Sequence, residues 1–186
     1  MNKIGLKEAI HLSHQLATII ERDFIPDVIV TIKNGGVLPG IEISEKLGKP
    51  LLEIDIRRII DDTFEKLYSD ASEDTRKIIS KDFNEAWFAT DPKIVKTDRL
   101  DLKDKNILLV DDAVHTGKTL NVAKSYISTF KPSLVKTATL FYADKYTPDY
   151  VLGYGEKYYP WSTWAKFNEE YKLYEEYLKE HKRALS

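Results

Sequence analysis

The chain has no cysteine, which excludes disulfides, thiolate catalysis and cysteine-held metals and is compatible with a reducing compartment. It lacks any apolar run approaching a membrane span. Met1 to Ile20 carries Lys3, Lys7, Glu8, His11 and His14, which interrupt the apolar core that a secretory signal requires. A soluble, cytoplasmic protein is therefore expected. Excess positive charge is missing too: the net charge is −2 and the pI about 6.1, so an anionic ligand needs a local cluster of donors and nucleic acid is not an expected partner. No internal repeat, low-complexity tract or flexible linker divides the 186 residues. At 42% hydrophobic and 31% charged, that length supports one well-cored domain, residues 1–186, and leaves no room for two large ones.

What the chain does contain is ILLVDDAVHTGKTL, Ile107 to Leu120. Four apolar residues, Ile107 to Val110, follow the polar Lys103 to Asn106 and give way to two acids, so they read as a buried strand ending before Asp111. A helix is expected from about Thr119. At such a junction the first backbone N–H groups have no intrahelical partner, so the loop Val114, His115, Thr116, Gly117, Lys118 and Thr119 can offer donors and a positive helix end to one phosphate. Thr116 and Thr119 add hydroxyls. Asp111 and Asp112, at the mouth of the same loop, suit ribose hydroxyls, which donate hydrogen bonds, and suit a divalent cation. An ordinary strand-to-helix turn, with Asp as cap and Gly for positive φ, accounts for the same residues without a ligand. The GKT within the run is not a nucleotide P-loop, because that motif needs glycine where Asp112 stands.

Elsewhere, Leu6, Ala9, Ile10, Leu16, Ala17 and Ile20 recur at helical spacing, with His11 and His14 near the polar side and read as solvated. Asp27 to Ile32 is a strand. After Lys33-Asn34-Gly35-Gly36 a helix runs through Glu45 or Lys46 and stops at Gly48, with Pro50 behind it. Leu51 to Ile56 and Val135 to Tyr142 are further strands, with a helix ahead of the latter. This alternation predicts an α/β fold: a mostly parallel twisted sheet flanked by helices, with ligands at the carboxyl ends of the strands. A polar insertion, about residues 57–98, holds Ile59, Ile60, Phe64 and Leu67, then Ile78, Ile79, Phe83 and Trp87, and reads as two helices forming a hood, either a lid or a dimer arm. After Pro160, Trp164, Phe167, Tyr171, Tyr174 and Leu178 keep a three-four spacing on a C-terminal amphipathic helix of about residues 163–184, suited to packing or oligomer contact.

The Ile107 to Leu120 run resembles the phosphoribosyl pyrophosphate (PRPP) signature of the type I phosphoribosyltransferases: four apolar residues, two acids, a few variable positions, Thr-Gly, then a small hydroxyl residue opening a helix. TIKNGGVLPG resembles the pyrophosphate loop of the family's purine enzymes, where paired glycines let backbone N–H groups approach an anion and Lys33 supplies charge. The stretch from Asp144-Lys145 through Asp149-Tyr150-Val151 to Tyr158-Tyr159-Pro160-Trp161 looks like the base-recognition end of the 6-oxopurine enzymes. The resemblance implies transfer of a 5-phosphoribosyl group from PRPP to a nucleobase, most like guanine, hypoxanthine or xanthine, in purine salvage.

On that resemblance Asp111, Asp112 and His115 are catalytic, and the loop through Thr119 holds PRPP. Lys33, Asn34, Gly35 and Arg57 take the pyrophosphate, with Arg58 a further candidate, and Asp112 helps place Mg²⁺. Lys145 reaches the purine O6, while Tyr158, Tyr159 or Trp161 stacks on the ring. A homodimer is usual in that family. His115 departs from the purine pattern, which has an aspartate there as the proposed proton acceptor; histidine can accept a proton near neutral pH, bind phosphate as a cation or simply fill the loop. Two readings compete: action on a different base, and a PRPP-responsive regulator that binds nucleic acid through a dimer surface or its Lys-rich C-terminal helix. The mixed charges of EEYKLYEEYLKEHKR weigh against the second.

Overall fold

The computed structural model describes residues 3–58, 70–72, 74–75, 89–144, 146–162 and 169–181. Helix α1 (Leu6–Glu21) turns Ala9, Leu16, Ala17 and Ile20 inward, as the apolar spacing predicts. Strand β1 (Val28–Ile32) is buried at every position, the pattern of a central strand covered on both faces. The chain then enters α2 (Val37–Leu47), which stops where Gly48 takes a left-handed conformation, and returns as β2 (Leu51–Arg57). The remaining elements are β3 (Lys93–Thr97), β4 (Asn106–Val114), α3 (Lys118–Ser128), β5 (Leu134–Tyr142), β6 (Tyr150–Tyr154) and α4 (Glu169–His181). No helix among the described residues is long and apolar enough to cross a membrane.

Among the described residues the sheet order is β3-β2-β1-β4-β5-β6, parallel throughout except for β2 against β3. The chain lays β2 on one side of β1 and β4 on the other, so winding reverses between β1 and β4. In open α/β sheets the crevice at the carboxyl ends of such a pair is where ligands bind. Alternate strand residues feed two cores. Ile29, Leu108 and Val110 pack with α1, α2 and α4, whereas Val28, Val30, Ile107 and Leu109 pack with α3. Leu108 and Leu109 have no exposed surface, and truncating either to alanine costs about 2–5 kcal/mol.

The structure departs from the sequence reading at four points. Strand β4 does not end at Val110 but continues through the acidic pair to Val114, because β5 goes on pairing with it at Asp111↔Thr139, Ala113↔Phe141 and Val114↔Tyr142. The end of the supposed helical insertion is strand: β3 adds an antiparallel edge, and its Lys93 and Lys96 give the charged character that protects a free edge from pairing with other chains. Strand β6, which the sequence pattern did not predict, lies within the stretch expected to form the base-recognition end. His14 is not merely solvated, since its Nε2 lies 2.6 Å from Glu42 Oε2. The predicted apolar residues of the two insertion helices, Ile59 to Leu67 and Ile78 to Trp87, lie outside the described residues, as do Trp164 and Phe167.

Candidate active site

Two turns meet at the β1/β4 crevice. The first, after β1, places Asn34 at φ 75°, a left-handed conformation that asparagine tolerates better than most side chains. Gly35 then passes so close to the next strand that a Cβ there would lie 2.5 Å from Asp112 Oδ1, so glycine is demanded by proximity to a carboxylate. Lys33 and Arg57 converge on Asp55: Lys33 Nζ is 3.5 Å from Oδ2, while Arg57 donates from Nε to Oδ1 at 2.9 Å and from Nη2 to Oδ2 at 2.8 Å. The hydrogen bond from Arg57, and then the charges of Arg57 and Lys33, hold the Asp55 carboxyl below its usual range against the opposing effect of burial. Sequence reasoning passed over Asp55, although an acid inside the apolar strand LLEIDIR, followed by paired arginines, was a usable signal.

Near the end of β4, Asp111 is buried and Asp112 beside it is half-buried. Asp111 Oδ1 accepts the Asp112 N–H at 3.0 Å, and Asp112 Oδ1 accepts the Ala113 N–H at 2.6 Å. Trp161 Nε1 donates to Asp112 Oδ2 at 2.6 Å, and the Tyr159 hydroxyl donates to the Asp112 carbonyl at 3.2 Å. Loss of hydration, followed by the neighbouring charge of Asp112, pushes the Asp111 carboxyl well above its ordinary pKa. Burial raises Asp112 as well, with the Trp161 hydrogen bond pulling the other way. Two crowded carboxylates at a crevice favour hydroxyl donors or a cation that relieves their repulsion.

The second turn links β4 to α3. Val114 closes the strand with its side chain in the core and its carbonyl accepting the Ala143 N–H at 2.8 Å. Gly117, at φ 77°, caps α3, and a Cβ there would run into the Tyr146 ring at 2.2 Å, so that ring lies flush against the turn. Lys118 pairs with Asp91 at 2.8 Å, while Thr119 Oγ1 accepts from Arg58 Nη2 at 3.4 Å. Arg58 also donates to the Thr90 carbonyl at 3.1 Å. Arg57 and Arg58, adjacent in sequence, thus serve different turns.

On the outer side of the second turn His115 Nε2 lies 3.1 Å from Glu156 Oε1, beyond the end of β6. Tyr158 feels the same glutamate: burial first, then the Glu156 charge, raises its hydroxyl pKa. Tyr159 is 3% exposed and belongs to the core, stacking on Trp161 with centroids 4.9 Å apart. Lys145 lies outside the described residues.

Residues 3–176 match the family described as phosphoribosyl transferase domain. The chain belongs to that family. Among solved structures, purine phosphoribosyltransferase from Pyrococcus horikoshii OT3 superposes with a TM-score of 0.64 at 27% identity, over 87% of this chain and 94% of that one. Hypoxanthine-guanine phosphoribosyltransferase of Pan troglodytes is 36% identical over 92 residues, 48% of this chain and 41% of that protein. Phosphoribosyltransferase domain-containing protein 1 of Xenopus tropicalis is 37% identical over 54 residues, 26% of this chain and 24% of that protein. The chain is thus matched over less than half the length of these curated relatives.

A phosphoribosyl transferase domain is a transferase module, and the crevice here is lined by basic side chains, a glycine turn and two carboxylates. It brings together the Lys33 turn, the acidic pair and the Gly117 turn. Of the residues expected at the base end it separates Tyr158, near Glu156, from Tyr159 and Trp161, which are engaged with Asp112. Asp55, Tyr146, Glu156 and Tyr174 were missed, since each acts on a site residue distant in sequence. Among the described residues no group of three or more His, Asp or Glu side chains could cage a metal. The donor set fits a hard cation carried largely by its substrate, since Mg²⁺ typically takes one or two carboxylates plus phosphate oxygens and water.

Proposed function

We propose that this phosphoribosyltransferase moves the 5-phosphoribosyl group of PRPP onto a ring nitrogen of a 6-oxopurine such as guanine, hypoxanthine or xanthine, releasing pyrophosphate. One observation carries the reading: Gly35 of the first predicted ligand turn is packed directly against Asp112 of the acidic pair at the β1/β4 crevice. The likeness to a purine enzyme at 27% identity supports the purine class.

In this reading the α3 N-terminus, with Thr116, Gly117, Lys118 and Thr119, binds the 5-phosphate through the N–H groups of its first turn and through hydroxyls. Asp111 and Asp112 accept hydrogen bonds from the ribose hydroxyls. Backbone N–H groups of Asn34 and Gly35, with Lys33 and Arg57 held on Asp55, receive the pyrophosphate. Asp112 would help hold Mg²⁺, which would supply positive charge to the departing pyrophosphate. The C1–O bond to pyrophosphate breaks as the C1–N bond to the base forms, and the proton displaced from the base passes to His115, oriented by Glu156. Tyr158 is the aromatic on that side available to the ring, with Lys145 assigned to its carbonyl oxygen. Holding the sugar, leaving group and base in line supplies most of the acceleration.

The test is pyrophosphate release from PRPP and Mg²⁺ with guanine, hypoxanthine, xanthine, adenine, uracil or orotate supplied singly. Release with a 6-oxopurine is expected. Release with only another base overturns the purine assignment, and PRPP binding without release for any base points to a regulator.

A further inference from the structure

We propose that Trp161 is a positioning residue for the carboxylate that meets the sugar, and that the C-terminal helix α4 holds Trp161 in place; this rests on the function proposed above. The indole N–H donates to Asp112 Oδ2 at 2.6 Å, while the other oxygen is fixed by the Ala113 N–H at 2.6 Å. Both oxygens of Asp112 are therefore held, and the carboxylate has one orientation before any ligand arrives. The indole ring is itself confined, stacked on Tyr159 and packed against Tyr174 of α4 with centroids 5.1 Å apart and planes at 46°. Tyr174 is 5% exposed.

Helix α4 is in turn fastened near both ends. Glu170 accepts the Leu6 N–H at 2.7 Å, capping the start of α1, and the Tyr177 hydroxyl donates to the buried Glu42 at 2.7 Å. Glu42 also takes His14, so α1, α2 and α4 share one buried carboxylate. A ring packed against two side chains, with its N–H committed, is a poor stacking platform for a base. It is well built to remove the rotamer freedom of a carboxylate that must be ready for a sugar.

Trp161→Phe keeps a flat ring against Tyr159 and Tyr174 but deletes the N–H. The expected result is a KM for PRPP raised about tenfold, the scale of one hydrogen bond to a charged group, with the KM for the base unchanged. A raised KM for the base with PRPP unaffected would make Trp161 a base-stacking residue and overturn the proposal. Tyr174→Leu should move KM for PRPP in the same direction and Tyr174→Phe should restore it, while Leu173→Ala, on the exposed side of α4, leaves all constants unchanged. Equal effects of the Leu and Phe variants at Tyr174 would refute the role of α4.

A second readout does not depend on turnover. With three tryptophans, ¹⁵N-indole spectra give three N–H signals, and the one lost in Trp161→Phe should shift upfield in Asp112→Asn and move when PRPP is added without base. If none of the three indole signals responds to Asp112→Asn, the proposal fails even should Trp161→Phe not fold. Should the unaltered protein neither bind PRPP nor release pyrophosphate, the functional reading fails, whereas the link between Trp161 and Asp112 is still decided by the spectra.

Discussion

The turn after β1 and the turn after β4 face each other across one crevice, yet they are held by different physics. The first is held by charge and close approach: Lys33 and Arg57 are drawn onto Asp55, and Gly35 presses on the Asp112 carboxylate. The second has shape at its centre, with Gly117 in a left-handed conformation beneath the Tyr146 ring, and polar contacts only at its flanks, from Lys118 to Asp91, Arg58 to Thr119 and His115 to Glu156. The left-handed glycine is encoded locally, whereas every polar contact of either turn with a distant partner depends on the fold.

The strongest way to test that contrast is at the strand between the turns. Asp112→Asn should lower turnover by about 10²–10³-fold, the scale of losing one preorganised electrostatic group, with the fold intact by circular dichroism. Asp111→Asn should also cost turnover while raising Tm by about 2–4 °C, because it removes a buried, mutually repelled charge. A lowered Tm would show the pair to be structural.

Next come the glycines. Gly35→Ala should abolish measurable PRPP binding by calorimetry, since its Cβ meets a carboxylate that cannot retreat without losing its own bonds. Gly117→Ala should destabilise by about 1–3 kcal/mol for a side chain held at positive φ, with a further clash that Tyr146→Ala partly relieves in the double variant. Identical behaviour of the two turns would erase the distinction.

The smallest effect is expected at Asp55. Its carboxyl titrates below the usual range, so it adds stability above its unfolded pKa and loses it as pH falls through the folded value. Denaturant melts should therefore find Asp55→Asn less stable than the unaltered protein at pH 7, with the gap closing in acid, below the ordinary carboxylate range. A gap that persists in acid would mean that Asp55 acts by packing.

Sequence patterning predicted helices α1, α2 and α3, strands β1, β2 and β5, and the β4–α3 turn, because each has its own apolar period or its own stop signal. It failed at β3 and β6, and at the length of β4. KIVKT has two lysines in five residues and is largely exposed, and YVLGY lacks a polar alternation, so neither announces a strand; each is made one by the neighbour that pairs with it. The acidic pair was legible as residues, but its burial was not, because only the continuing ladder with β5 draws Asp111 into the sheet.

By itself the sequence determined the alternating architecture, the two glycine turns and the chemistry of their donors and acids, since these follow from local conformation and residue type. The tertiary structure alone decided which partner each polar group serves: Asp55 for Lys33 and Arg57, Glu156 for His115, Trp161 for Asp112, and Glu42 for the three helices that share it. These pairs are separated by up to 135 residues along the chain. No local periodicity can specify them, because burial makes each polar group find whichever partner the packed fold brings within reach.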